Sequence, residues 1–435
     1  MIVVVGLVIA AVVTTAAVLA TDRGDGTRHS SPPTGTGASH RASVNQVRAA
    51  AIRQLLRRRS HAVLAGDRRQ LLATIDPAAR QFRRDQARML ANLRQVPLAS
   101  WTYSFDPAQQ LRPTAAQLRL GVPTWSPRQF VLHYRLRGFD RRPTVRRQFP
   151  TFVRRDGQWY LASLTDFAVA GRVSATDLWD YAPVRVLRRP DVLVMGPPAM
   201  LPTMQTVLAD AVAAIPRVTA VWGRGWARRV VIEAPSSQPE LRAITGAHGN
   251  LSNLVALTSA EIHSAPGRPE PAGDRIAINP ALWPRLGPLG RRVVLTHEVT
   301  HVATRAATGS QTPRWLAEGF ANYVGFLGTG VAPTVAAAEL AGQVRADGAP
   351  RQLPGRRAFA GGSSRFTRAY QEGWLACRYI AARYGQATLV RFYRAVGGSR
   401  QPTAAAVRAA MRRLLHTDPR SFTAAWRRFV VQELA

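Results

Sequence analysis

Apolar and polar positions divide this chain into stretches of different period. Residues Ile2 to Ala20 are uncharged and apolar, about the length a helix needs to cross a bilayer. No basic residue precedes the run, and it is long for a signal peptide, so an uncleaved anchor is expected, with cleavage near Ala17 or Ala20 as the alternative. Thr21 to Ser43 has no apolar period. Its Gly, Ser, Thr and Pro content reads as a flexible linker in which His29 and His40 are solvated.

Residues 44–183 read as a small α+β domain. Val47, Ala50, Leu55, Ala62 and Val63 predict a helix over Gln46 to Ala65, and Asp76-Pro77 turns the chain into a second helix ending near Val96. Strands are expected at Trp101 to Phe105, Phe130 to Leu136, Gln148 to Arg154 and Gln158 to Leu164. The last two are joined by the hairpin dipeptide Asp156-Gly157. Helices followed by an antiparallel sheet resemble the NTF2-like fold. With no convergent polar cluster in it, the domain reads as a spacer or docking unit.

Residues 190–435 form a second domain. Strands are expected at Asp191 to Met195, Arg229 to Glu233, Leu254 to Ser259 and Asp274 to Ile278, with a helix at Leu201 to Ile215. Arg275 to Ile278 is expected to be an edge strand that pairs with extended substrate. Val293, Val294, Leu295, Val299 and Val302 give Arg291 to Ala307 a helical period. Thr308-Gly309-Ser310 closes that helix and Thr312-Pro313 opens the next. Beyond Gly328 the pattern is helical, at Val335 to Arg345, Thr367 to Tyr384, Ala387 to Val396, Ala404 to Leu415 and Ser421 to Glu433.

The chemistry sits where the first of those helices carries His297-Glu298-Val299-Thr300-His301. Residues four apart share a helical face, so both imidazoles can point at one Zn²⁺ with Glu298 beside the remaining position. Glu318, in Trp315-Leu316-Ala317-Glu318-Gly319, faces back from the next helix and completes three protein ligands, leaving a fourth position for water. Histidine is scarce, with 9 in 435 residues, and two of them take this spacing. Glu261 and His263 lack a second half of a metal motif and read as polar residues at a strand end.

HEVTH followed by WLAEGFANYV resembles the gluzincin metallopeptidases, and the second block is similar to the W-L-x-E-G-F-A-x-Y segment of the aminopeptidase N type. Ala369-Tyr370-Gln371-Glu372-Gly373 resembles the helix that supplies a carbonyl-facing tyrosine in those enzymes. The resemblance covers roughly Asp191 to Ala435 and is nearest to the peptidase MA-like set. It implies a two-lobed, thermolysin-like zincin domain with a mixed-sheet upper lobe and a helical lower lobe. It also implies one Zn²⁺ on His297, His301 and Glu318, Glu298 as general base and Tyr370 as oxyanion donor, acting on a peptide or protein substrate. Three departures matter. The G-x-M-E-N segment that holds a free amino terminus is missing, and Glu318 follows His301 at slightly shorter spacing. Asn322 stands where related enzymes place an Asp that orients a histidine, and its side-chain carbonyl can accept an imidazole N–H.

All 59 basic residues are Arg against 25 acidic ones, a formal net charge of +34 that will attract anionic lipids or cell-wall polyanions. Specific nucleic-acid binding is not expected, since no Cys/His finger, aromatic RNA-binding strand or basic heptad helix is present. Cys377 has no disulfide partner and reads as a buried thiol. These features together point to a membrane-anchored zinc peptidase with an extracytoplasmic body, or a secreted one if the segment is cleaved. The rival readings are a catalytically silent zinc-bearing envelope scaffold and a polyanion-binding protein.

Overall fold

The computed structural model describes residues 11–13, 36–247, 251, 254–263, 270–360 and 363–435. The chain divides into two units, one of residues 1–14, 187–260 and 274–435, the other of residues 15–186 and 261–273. The apolar run 2–20 lies outside the described residues except for β1 (Ala11–Val13), a short strand parallel to Leu257–Ser259. Of the expected linker, residues 36–43 continue a helix, and the rest is outside the described residues. The first helix, α1 (Thr36–Ala65), therefore begins ten residues before the expected Gln46.

In the smaller unit α1, α2 (Arg68–Leu72) and α3 (Arg80–Asn92) precede β2 (Leu98–Phe105), α4 (Ala115–Leu118), β3 (Thr124–Trp125), β4 (Phe130–Leu136), β5 (Thr144–Arg147), β6 (Thr151–Arg155) and β7 (Gln158–Ser163). The strands make two antiparallel sheets, ordered β2-β4-β5 and β3-β6-β7. Strand β4 alternates buried and half-buried residues, as a strand with one face on a core must. The β6–β7 turn uses Asp156 and Gly157 at φ of 47° and 78°, the left-handed pair a tight hairpin requires.

The larger unit is built on a six-stranded sheet of order β1-β11-β12-β10-β9-β8. It comprises β8 (Arg185–Arg188), β9 (Val192–Gly196), α5 (Leu201–Trp222), β10 (Val230–Glu233), α6 (Gln238–Thr245), β11 (Ala256–His263) and β12 (Glu270–Ile278). Parallel pairing of β9 with β10 and of β10 with β12 gives strands buried on both faces, all four residues of β10 among them. This arrangement corrects the expectation for Arg275 to Ile278. That segment lies in β12, an interior strand between β11 and β10, so its backbone is already paired and offers substrate no edge.

Helix α5 also differs from expectation, running through Pro216 to Trp222 instead of stopping at Ile215. Pro216 lies on the exposed side, where Val212 is also exposed, while Val218 and Trp222 continue the buried stripe and hold the last turns to the core. Among the described residues this is the helix long and apolar enough to span a membrane, and eight of its residues are buried in the core.

The remaining helices are α7 (Pro288–Thr304), α8 (Arg314–Phe326), α9 (Pro333–Ala336), α10 (Ala338–Asp347), α11 (Phe366–Tyr384), α12 (Gln386–Gly397), α13 (Thr403–Ala410) and α14 (Pro419–Leu434). Pro288 opens α7 at its first position. Pro313, not Thr312, caps α8, and the Thr312 hydroxyl accepts instead from the Gly309 N–H at 3.2 Å. Close packing sets these helices around the histidines. A Cβ on Gly319 of α8 would meet the Gly373 carbonyl oxygen of α11 at 2.1 Å, and one on Gly373 would meet the Trp315 carbonyl oxygen at 2.7 Å. Two backbones approach there because neither carries a side chain.

That contact generates a paired prediction. Gly319→Ala should lose stability towards the upper end of the roughly 1–3 kcal/mol that overpacking costs, despite alanine's better helix propensity. Gly342→Ala on α10, where a Cβ meets nothing within 4 Å, should gain up to about 1 kcal/mol. Urea unfolding of both variants checks this, and equal stabilities would refute the close approach.

Candidate metal centre

Helix α7 is buried from Val293 to His301, so its polar residues enter the core with it. His297, Glu298, His301 and Glu318 are 2%, 0%, 4% and 1% exposed. Four ionisable groups in so small a buried volume are costly unless they compensate one another.

The structure brings together the three residues nominated as ligands. His297 Nε2 and His301 Nε2 lie 2.9 Å apart, and Glu318 Oε2 is 3.5 Å from the first and 3.3 Å from the second. Two ligand atoms at about 2.05 Å from a tetrahedral zinc would be separated by about 3.3 Å, which is the size of this triangle. The donor set fits a metal on a second ground. One proton can be shared between the two Nε2 atoms, but it leaves Glu318 Oε2 buried without a hydrogen bond among the described residues. A divalent cation takes a lone pair from all three.

The surrounding residues fix the orientation of this set. His297 Nδ1 lies 2.8 Å from Asn322 Oδ1, so Nδ1 carries the proton and donates it, which turns Nε2 towards the centre. Asn322 sits one turn after Glu318 on α8, so a single helix supplies the carboxylate and the clamp on an imidazole. Arg314, one turn earlier, places Nη1 3.4 Å from Glu318 Oε1 and leaves Oε2 to face the histidines.

The pKa directions follow from this crowding. Burial pushes His301 down to about 4. His297 feels the same burial, but contact with Glu318 and the charges of Glu298 and Glu318 outweigh it and raise its pKa. Burial also opposes ionisation of Glu318, yet the two imidazoles hold its carboxyl well below the usual range. Glu298 is pushed up to about 7, chiefly by burial. The Thr258 hydroxyl, on β11, donates to Glu298 Oε2, and Oε1 has no partner among the described residues.

Tyr370, on α11, is fully buried between Phe359 and Phe366, with each ring centroid 5.1 Å from its own. Its hydroxyl has no hydrogen-bond partner among the described residues. Burial and then the negative charge of Glu318 raise its pKa well above the usual value, so the phenol keeps its proton and can donate a hydrogen bond. Glu261 and His263 lie on β11, and their side chains are outside the described residues. Cys377 is buried on α11 with its Sγ 3.9 Å from the Leu316 carbonyl, and burial raises its thiol pKa.

Sequence reasoning missed Thr258, Arg314 and Arg305. Thr258 is forty residues from Glu298 and carries no local signal. Arg305 follows His301 by the same four residues that separate the histidines, a spacing that was available to read.

No protein-family model matches this sequence, and no curated protein does. Among solved structures the chain is similar to a mutant M1 zinc metallopeptidase from Deinococcus radiodurans, at 13% identity and TM-score 0.34 over 65% of this chain and 60% of that one. It is also similar to a mutant two-domain M1 zinc metallopeptidase bound to L-arginine, at 14% identity and TM-score 0.34 over 64% and 58%. A third, from D. radiodurans and bound to a Tyr-Ser-Ala substrate, matches at 13% identity and TM-score 0.31 over 65% and 59%. The match to the first spans about three-fifths of that enzyme's length.

The Asn322 contact generates a test of the centre. Asn322→Ala should weaken metal binding about 10–100-fold in chelator competition, whereas Asn322→Asp, which keeps an acceptor, should retain it. Equal weakening by both would show that the contact does not orient His297.

Proposed function

We propose that this chain is a zinc-dependent peptidase of the gluzincin type that hydrolyses peptide bonds with Glu298 as general base. The observation that carries this reading is the buried triangle of His297 Nε2, His301 Nε2 and Glu318 Oε2, with the fully buried Glu298 following His297 on the same helix. His297, His301 and Glu318 would hold the ion. When bound, zinc supplies Lewis acidity that activates water and polarises the scissile carbonyl.

The chain's own residues account for the proton movements. Thr258 donates to Glu298 Oε2 and so turns Oε1 towards the incoming water. A carboxyl with a pKa near neutrality can take the water's proton and return it to the leaving amine within one turnover. Tyr370 keeps its proton across the physiological range and has no competing acceptor among the described residues, which suits donation to an oxygen that gains negative charge. The smaller unit serves, in this proposal, as an NTF2-like spacer. The positive charge of the chain suits contact with anionic lipids or cell-wall polymers.

Two variants test the assignments. Glu298→Gln should keep zinc yet lose nearly all turnover of a quenched fluorescent peptide library, and cleavage near the original rate would remove Glu298 from the mechanism. Tyr370→Phe should lower kcat by about a hundredfold or more, the usual effect of deleting one oxyanion donor, with KM little changed. An unchanged kcat would make Tyr370 a core residue only.

A further inference from the structure

One buried arginine just beyond the helix of the two histidines has no part in the reaction above. Arg305 follows α7 directly, is 9% exposed, and holds Asp274 of β12 with Nε 2.9 Å from Oδ1. That ion pair uses one edge of the guanidinium. Its Nη2 is buried and has no hydrogen-bond partner among the described residues. A single carboxylate on a fully charged, almost fully buried fork leaves donors to satisfy, and arginine's planar geometry suits a second carboxylate.

Its position relates this donor to the peptide site. Arg305 is four residues beyond His301 and seven beyond Glu298, so all three lie along one side of the helix that carries the centre. Seven residues of helix advance about 10 Å, a distance that about three extended substrate residues cover. Asp274 fixes the guanidinium against β12, which neighbours β11, the strand that carries Thr258.

We infer that Arg305, braced by Asp274, is a specificity residue that receives a substrate carboxylate within about three residues of the scissile bond. This inference rests on the peptidase reading of the same site. The carboxylate can belong to an acidic side chain or to a peptide's C-terminus. In either case the carboxylate supplies the partner that Nη2 lacks among the described residues, so the enzyme favours acidic over neutral peptides.

The test is equilibrium binding to the full zinc-loaded chain carrying Glu298→Gln, at physiological salt. Four probes are compared: Ala-Ala-Glu amide against Ala-Ala-Gln amide, and Ala-Ala-Ala with a free carboxyl against its amide. At least one acidic probe should bind about tenfold or more tighter than its neutral partner, as a charged hydrogen bond implies, and the pair that shows the gap identifies the source. Adding Arg305→Gln should close the gap to within about twofold with zinc content unchanged. Arg305→Lys, which keeps the charge that Asp274 requires, should narrow it and guards against misfolding of the first variant. No gap in the parent, or a gap that survives both substitutions, overturns the inference and assigns Arg305 to bracing α7 against β12. Failure of the peptidase reading appears separately, as a chain with Glu298 intact that holds zinc and cleaves nothing.

Discussion

Everything in the larger unit is arranged around a constraint of burial. Two histidines and two glutamates occupy the core at 4% exposure or less, where an uncompensated charge would cost more than a small domain's whole stability. The fold meets that constraint by turning three lone pairs towards one point. His301 is pushed down by burial, Glu318 is held ionised by its histidine neighbours, and His297 is oriented by Asn322. Such an arrangement is poor as a set of salt bridges and good as a ligand set. Its energetic cost falls when a cation takes all three contacts at once.

The scaffold supplies the precision this requires. Helices α7 and α8 carry all three donors, and α8 is pressed against α11 through Gly319 and Gly373 at a distance no side chain permits. Tyr370 lies on α11, the helix so pressed against α8. Trp222, Phe320 and Tyr393 pack on one another at centroid separations of 5.0 to 5.6 Å and tie α5, α8 and α12 together. The sheet contributes a single hydroxyl, from Thr258, and the anchor for Arg305 at Asp274. Position is thus set by rigid elements, and the polar groups need little freedom to act.

Much of this was legible in the sequence because the chemistry is local. Four-residue spacing places His297 and His301 on one face, and the Trp315 to Gly319 block follows within one turn and one helix start. Asn322 could be named because the gluzincins that the chain resembles place an orienting Asp four residues past the third ligand. Long-range features were less readable. The apolar run Arg275 to Ile278 looks the same as an edge or an interior strand, since strand order depends on β10 and β11, which are distant in the chain. Pro216 reads as a helix stop locally, but the buried stripe at Val218 and Trp222 outweighs it. The early start of α1 at Thr36 runs through Gly37 and Ser39, which favour a linker by composition alone.

The central claim is that His297, His301 and Glu318 hold one zinc ion. Elemental analysis of the purified full-length chain after exposure to zinc, beside a folded His301→Ala variant, tests it most directly. About one zinc per chain is expected in the first and near none in the second. A well-folded original chain that binds no zinc, or a His301→Ala variant that binds as much as the original, would contradict it.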